Sequence, residues 1–199
     1  GERSPELHAA YWEANRDAIE AAKQTLYEGG ELTSEARALL HELDRLSAQK
    51  DSAWSGLYWE TDLDVALTRA EAEGKLVLTL RMLGRLDEEY SCANSRFFRA
   101  ILYPHERVQD ALKSEYVLQW SMERPVPKVT FDFGDGRVMR TTFTGNSMHT
   151  VLSPDGDILH GMPGLYEPEQ FAERLEGLPE LWQAEISDPS RGTPWAARS

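Results

Sequence analysis

The residues best placed to do chemistry are a lone cysteine and a histidine. Cys92 is the one cysteine of the chain, and it opens the run Cys92-Ala93-Asn94-Ser95. An apolar run, Leu76 to Leu83, and a polar loop, Gly84 to Tyr90, precede it; an amphipathic segment through Phe97, Phe98, Ile101 and Leu102 follows. That order puts the thiol where a helix begins after a strand. Unpaired backbone N–H groups and the positive end of the helix there favour the thiolate, the form that attacks disulfides and ligates metals. Asp87, Glu88 and Glu89 lie just upstream and oppose the effect, while Arg85 and Arg96 offset them. A free cysteine is equally able to serve as a small apolar core residue. Both readings stand at this point.

Ser95 holds the place where a second thiol would release a trapped mixed disulfide. Dithiol turnover is therefore not expected of this motif. Exchange with a small thiol, sulfenic acid formation and metal ligation remain open. His149 is expected in a loop or strand facing Cys92. It could favour the thiolate as in Cys–His pairs. It could join Cys92 and Met148 in a soft Cys/Met/His set suited to Cu(I), or be hydrogen-bonded structure. Asn94 and Asn146 flank the same expected site, either as donors to a substrate oxygen or as satisfied loop residues. The catalytic candidates are thus Cys92, Asn94, Ser95 and His149, and no cofactor is expected. His8, His41, His105 and His160 lack the paired spacing of a zinc site. Asp132-Phe133-Gly134 has no accompanying glycine-rich or catalytic loop and reads as strand and turn.

These residues need a scaffold, and the chain's periodicities describe one. Ser4 and Pro5 suit a helix start. Leu7, Tyr11, Ala14, Ala18, Ala22 and Leu26 form one stripe up to Gly29-Gly30. A second helix begins near Thr33 with Ala36, Leu39, Leu40, Leu43 and Leu46 as its stripe. The two make a helical hairpin over residues 1–50. Residues 51–60 are an aromatic connector in which Trp54, Tyr58 and Trp59 pin the hairpin to the main domain. Thr61 and Asp64 have capping-box spacing for a helix that Gly74 ends. Leu76 to Leu83 reads as a buried central strand. Helical segments around Phe97–Leu102 and Val108–Leu112 lead to a strand, Tyr116 to Trp120. Val129, Phe131 and Phe133 alternate as a half-buried strand, turn at Gly134-Asp135-Gly136, and return through Val138 to Phe143. Strands at His149–Leu152 and Ile158–His160 flank the turn Ser153-Pro154-Asp155-Gly156. A last helix starts at Glu167-Pro168-Glu169 and buries Phe171 and Leu175. The tail from about Ser187 has no periodicity and is expected to be flexible or docked only through Trp195. The order indicates an α/β layer fold with a mixed sheet, the main domain spanning 51–186.

The bulk properties narrow the partners. A net charge of −13 over 199 residues repels phosphate backbones and anionic lipid, so neither nucleic acid nor membrane is expected. One thiol cannot build a disulfide framework, which fits a cytoplasmic setting. No apolar run is long enough to span a bilayer. No segment reads as a signal peptide, although Gly1-Glu2-Arg3 fits a trimmed start and leaves room for a removed export signal.

Three segments together resemble the thioredoxin superfamily, in particular bacterial thioredoxin-like domains. DLDVALTRAEAEGKLVLTL is similar to the family's entry helix and first central strand. SCANSRFFRAILYPHERVQDALKSEYVLQW is similar to its active-site helix with the following helix and strand. TVLSPDGDILHGMPGLYEPEQFAERL is similar to its closing hairpin and terminal helix. The resemblance covers Trp59 to Leu175. It implies a thioredoxin-like mixed sheet flanked by helices, with the N-terminal αα-hairpin as an addition. The family motif has two cysteines; here Cys92 keeps the first position and Ser95 takes the second, as in monothiol, CxxS-type glutaredoxin-like variants. The facing loop, Gly145 to His149, lacks the family's cis-proline. Copper-handling members of the fold use two cysteines. The resemblance implies thiol redox chemistry or thiol exchange through Cys92, with a protein or small-molecule thiol or disulfide as partner. The alternatives are a non-catalytic binding or scaffold protein, with the helical hairpin contacting a protein partner, and a metal-handling domain.

Overall fold

The computed structural model describes residues 1–142 and 145–187. Its centre is a mixed four-stranded sheet, flanked by helices on both faces and accompanied by a separate two-stranded hairpin. Three helices precede the sheet: α1 (Pro5–Ala14), α2 (Arg16–Tyr27) and α3 (Ser34–Ser47). The Ser4 hydroxyl accepts from Leu7 N–H as its expected cap role requires, and the Thr33 hydroxyl caps α3 by accepting from Ala36 N–H. The stripe expected over residues 7–26 is not one face. Asn15 bonds its side-chain amide back to the Tyr11 carbonyl at 2.8 Å and separates α1 from α2. The break changes the phase: His8, Ile19 and Ala22 are buried, whereas Leu7 and Leu26 lie largely in solvent. Ile19, Leu43 and Ala53 form the small core that packs these helices together.

Helix α4 (Leu63–Glu73) is capped by Asp62, not Thr61; the Asp62 carboxylate accepts from Asp64 N–H and Val65 N–H. Gly74 closes it at φ 65°, a conformation that costs glycine nothing. Next come β1 (Leu76–Leu83), a short helix α5 (Ala93–Phe97), a π-type turn over Phe98–Leu102, α6 (Glu106–Glu115) and β2 (Tyr116–Arg124). Strands β3 (Lys128–Asp132) and β4 (Val138–Thr142) form the hairpin. Strands β5 (Met148–Leu152) and β6 (Ile158–Pro163) rejoin the sheet, and α7 (Pro168–Glu176) and α8 (Leu178–Ile186) follow. The helix expected to be last is therefore succeeded by another. The expected tail and Trp195 lie outside the described residues, as does Phe143.

The strand order is β2-β1-β5-β6. β1 runs parallel to β2, from Leu76↔Tyr116 to Met82↔Met122, and antiparallel to β5, with Leu80 opposite His149. Both faces of β1 are covered, which explains its unbroken apolar run. Leu76, Leu78, Leu80 and Met82 pack with Phe98, Leu112 and Phe171 on one face. Val77, Val117 and Leu152 meet Ala66 and Ala70 of α4 on the other. Each fully buried Leu or Phe here contributes about 1.5–3 kcal/mol of transfer free energy.

The connector behaves as expected of its aromatics. Trp59 is fully buried and donates from its indole to Gln49 Oε1 at 2.8 Å. Tyr58 stacks against His8 of α1, and Trp54 lies under Lys23 of α2. Glu60 pairs with β2: its N–H donates to the Leu118 carbonyl at 2.8 Å, and Trp120 N–H donates to its carbonyl at 3.1 Å. The hairpin departs from expectation in burial. Phe131 and Phe133 are about half exposed, at 46% and 54%, because no described helix or strand covers that ribbon.

Candidate functional site

Cys92 is the N-cap of α5, in extended conformation, and its sulfur accepts from Ser95 N–H at 3.5 Å. The helix-start position expected from the strand–loop–helix order is thus occupied. The thiol itself is fully buried. It belongs to the main apolar core with Leu86 and Phe98. Leu86 comes from the loop between β1 and α5, which folds inward. The backbone N–H of Lys50 donates to the Leu86 carbonyl at 3.0 Å, and Gly84 N–H to the Arg124 carbonyl at 2.9 Å. A side chain on Gly84 would meet the Ser91 backbone, so the loop is closely packed there.

The residues around the thiol satisfy one another. Ser95 is fully buried, and its hydroxyl accepts from Ser91 Oγ at 2.9 Å. Asn94 donates from its amide to the Ser147 hydroxyl at 2.9 Å, tying α5 to the loop before β5. Arg96 reaches the Ser91 carbonyl at 2.9 Å and the Thr142 hydroxyl at 2.7 Å. Asn146 is exposed beside that loop. No cis peptide occurs among the described residues. Gly145 passes so near Leu83 that a Cβ would lie 2.4 Å from its Cδ1.

His149 is inside the protein. It is fully buried between the rings of Phe98 and Phe171, both edge-on with centroids 4.7 and 4.9 Å away. Its Nε2 shares a 2.8 Å hydrogen bond with the Tyr103 hydroxyl, and its Nδ1 has no partner. Burial pushes its pKa down to about 3, so the ring is neutral at physiological pH. Burial also holds the Tyr103 phenol well above its ordinary value. Met148, the preceding strand residue, faces the other side of the sheet and is 39% exposed. It borders a surface groove of about 880 Å³ with Leu83, Ser147 and Pro163. Cys92, Met148 and His149 therefore do not converge as one ligand set. Among the described residues no three His, Cys, Asp or Glu side chains group as a metal site.

Two neighbours of the site gave a faint signal in the sequence. Arg99 was read only as part of an amphipathic helix whose apolar face included Ile101. The π-type turn widens the helix, turning Arg99 inward and Ile101 out to 52% exposure. Arg99 donates to Asp51 Oδ2 at 2.9 Å and lies 3.5 Å from Ser91 Oγ. Its Nε has no partner. Burial lowers its pKa, against the pull of Asp51. Asp51 sits at φ 60°. It belongs to a cluster in which Lys50 contacts both Asp51 and Asp44, and Asp44 Oδ1 accepts from the N–H and hydroxyl of Ser52. A polar path thus runs from the connector through Arg99 and Ser91 to Ser95, beside the thiol. A single arginine within the apolar run FFRAIL was the available clue.

No model of a known protein family matches this chain, and a search of curated proteins finds no significant match.

Proposed function

We propose that the chain is a thioredoxin-like domain that works as a non-catalytic binding or scaffold protein, with Cys92 as a structural helix cap. The observation that carries this reading is the complete burial of Cys92 within a shell whose serines, asparagine and arginine bond to each other. A nucleophile must meet its substrate, and a buried free thiol behaves as a small hydrophobe. The thioredoxin-like part of the reading is supported by topology. With the Glu60 bridge counted beside β2, a parallel set, Glu60-β2-β1, is continued by antiparallel β5 and β6, and the cysteine-bearing helix follows β1. Relative to that resemblance the β3–β4 hairpin is an insertion or extension between β2 and β5.

Thiol exchange through Cys92 is the second reading, favoured by one observation: the sulfur faces the Ser95 amide at a helix start. The two separate by alkylation of the native protein with N-ethylmaleimide, followed by mass spectrometry. A structural thiol labels only at the rate of unfolding, so labelling rises in parallel with urea-induced unfolding. Rapid stoichiometric labelling without denaturant would overturn the scaffold reading and restore the redox one.

A further inference from the structure

Strands β3 and β4 pair with each other and with no other described strand. A lone two-stranded ribbon is marginal in water; a third strand or a covered face makes it stable. Directly paired residues share a face, so Val129, Phe131 and Phe133 lie with Met139 and Thr141 on one side. Phe131, Phe133 and Met139 are each about half exposed there. This ribbon has both an uncovered apolar face and an open edge.

The backbone determines which groups that edge presents. Phe133 N–H donates to the Arg137 carbonyl at 3.1 Å. Hydrogen-bonded and non-bonded pairs alternate along an antiparallel ladder. With Phe131 opposite Met139 and Val129 opposite Thr141, residues 129, 131 and 133 direct their backbone groups toward β4. The N–H and C=O groups of Lys128, Thr130 and Asp132 then point outward from β3.

The five residues of β3 read Lys-Val-Thr-Phe-Asp, and this string complements itself when reversed. Placed antiparallel about Thr130, Lys128 of one copy meets Asp132 of the other at both ends. Val129 meets Phe131 twice, on the apolar face, and Thr130 meets Thr130. Opposite charges, aromatic with β-branched, and threonine with threonine are all favourable cross-strand pairs. Slipping the register far enough one way sets Lys128 against Lys128, and the other way Asp132 against Asp132. The outward backbone groups of residues 128, 130 and 132 are those this register requires. Charge also points here. From Arg124 to Arg140 four basic residues outweigh two acidic ones, within a chain of net charge −13. The rest of the chain carries all of the net negative charge, which on average sets two copies against each other there.

We propose that the occupant of this edge is a second copy of the chain, paired β3 to β3 about a twofold axis at Thr130. The product is a four-stranded sheet, β4-β3-β3-β4, with one continuous apolar face and an isologous contact.

Sedimentation velocity across a concentration series tests it with the whole chain. The wild type should show a monomer–dimer equilibrium. Thr130→Pro removes an outward N–H that β4 does not use, so the hairpin is kept and the dimer weakens at least about tenfold. A second measurement does not depend on tolerance of proline. Thr130→Cys should form a disulfide-linked dimer on mild oxidation, since residues directly opposite in a hydrogen-bonded pair lie about 5.5 Å apart. Arg140→Cys, directly across the same ribbon on β4, should not. A wild type that stays monomeric at every concentration overturns the proposal. So does a Thr130→Cys variant that cross-links no faster than Arg140→Cys.

Discussion

The Tyr103 hydroxyl and His149 Nε2 hold each other at 2.8 Å in the middle of the apolar core, where neither has another partner. A buried polar group that loses its one hydrogen bond costs about 1–3 kcal/mol, while replacing both partners by apolar groups can be nearly neutral. Tyr103→Phe should therefore destabilise the protein by about 1–3 kcal/mol, and adding His149→Phe should recover part of the loss. Urea unfolding of the two variants measures this. Equal or greater loss in the double variant would show that the pair is not the source of the effect.

Two buried histidines give stability a dependence on pH. Burial, aided by the charges of Lys113 and Arg3, lowers the His8 pKa to about 4, and burial alone lowers that of His149 to about 3. An ordinary histidine titrates at about 6.5. The unfolded chain binds protons there first, so the stabilisation is complete above that value and is lost as pH falls toward 4 and then 3. Urea midpoints should decline between pH 7 and pH 5, before most carboxylates titrate (about pH 4). His8→Phe should flatten that slope in part. An unchanged slope would remove His8 from the account.

Arg99 is 3% exposed, and among the described residues its one carboxylate contact is Asp51. Asp51 is itself partly in solvent, which reduces what the pair is worth. Asp51→Asn should cost about 1–3 kcal/mol by leaving a buried guanidinium without its counter-charge. Arg99→Met, which removes the buried charge as well, should cost less. Thermal unfolding of the two variants tests the order, and the reverse ranking would refute it. Because Asp51 belongs to the connector and Arg99 to the segment after Cys92, Asp51→Asn should also hasten labelling of Cys92.

Local signals were legible in the sequence where one residue decides the geometry. Thr33 and Gly74 bound helices because a hydroxyl cap and a left-handed glycine are short-range devices. The run from Leu76 announced a strand covered on both faces. The helix-start position of Cys92 was legible for the same reason. Its burial was not, because Leu86 reaches the core only when Lys50, 36 positions earlier, anchors that loop. The inward turn of Arg99 depends on one widened helical turn. His149 was expected in a loop or strand facing Cys92; it lies in a strand, whose alternation buries it in the core and turns Met148 out. Phe131 of β3 and Phe133 just beyond it showed the right period, yet period alone does not say whether a layer covers them. Helix α8 went unread because Gly177 resembles a stop signal.

The Glu60 bridge has a consequence for solubility. By occupying the outer side of β2 beside Gln119, it withholds the buried half of that edge strand from any passing chain. At the opposite margin β6 is interrupted in register at Val151/Leu152 and carries Pro163, which has no N–H to offer. The central sheet is thus guarded on both flanks against open-ended growth into fibres. Weakening the connector's grip on β2 should make the chain more prone to precipitate.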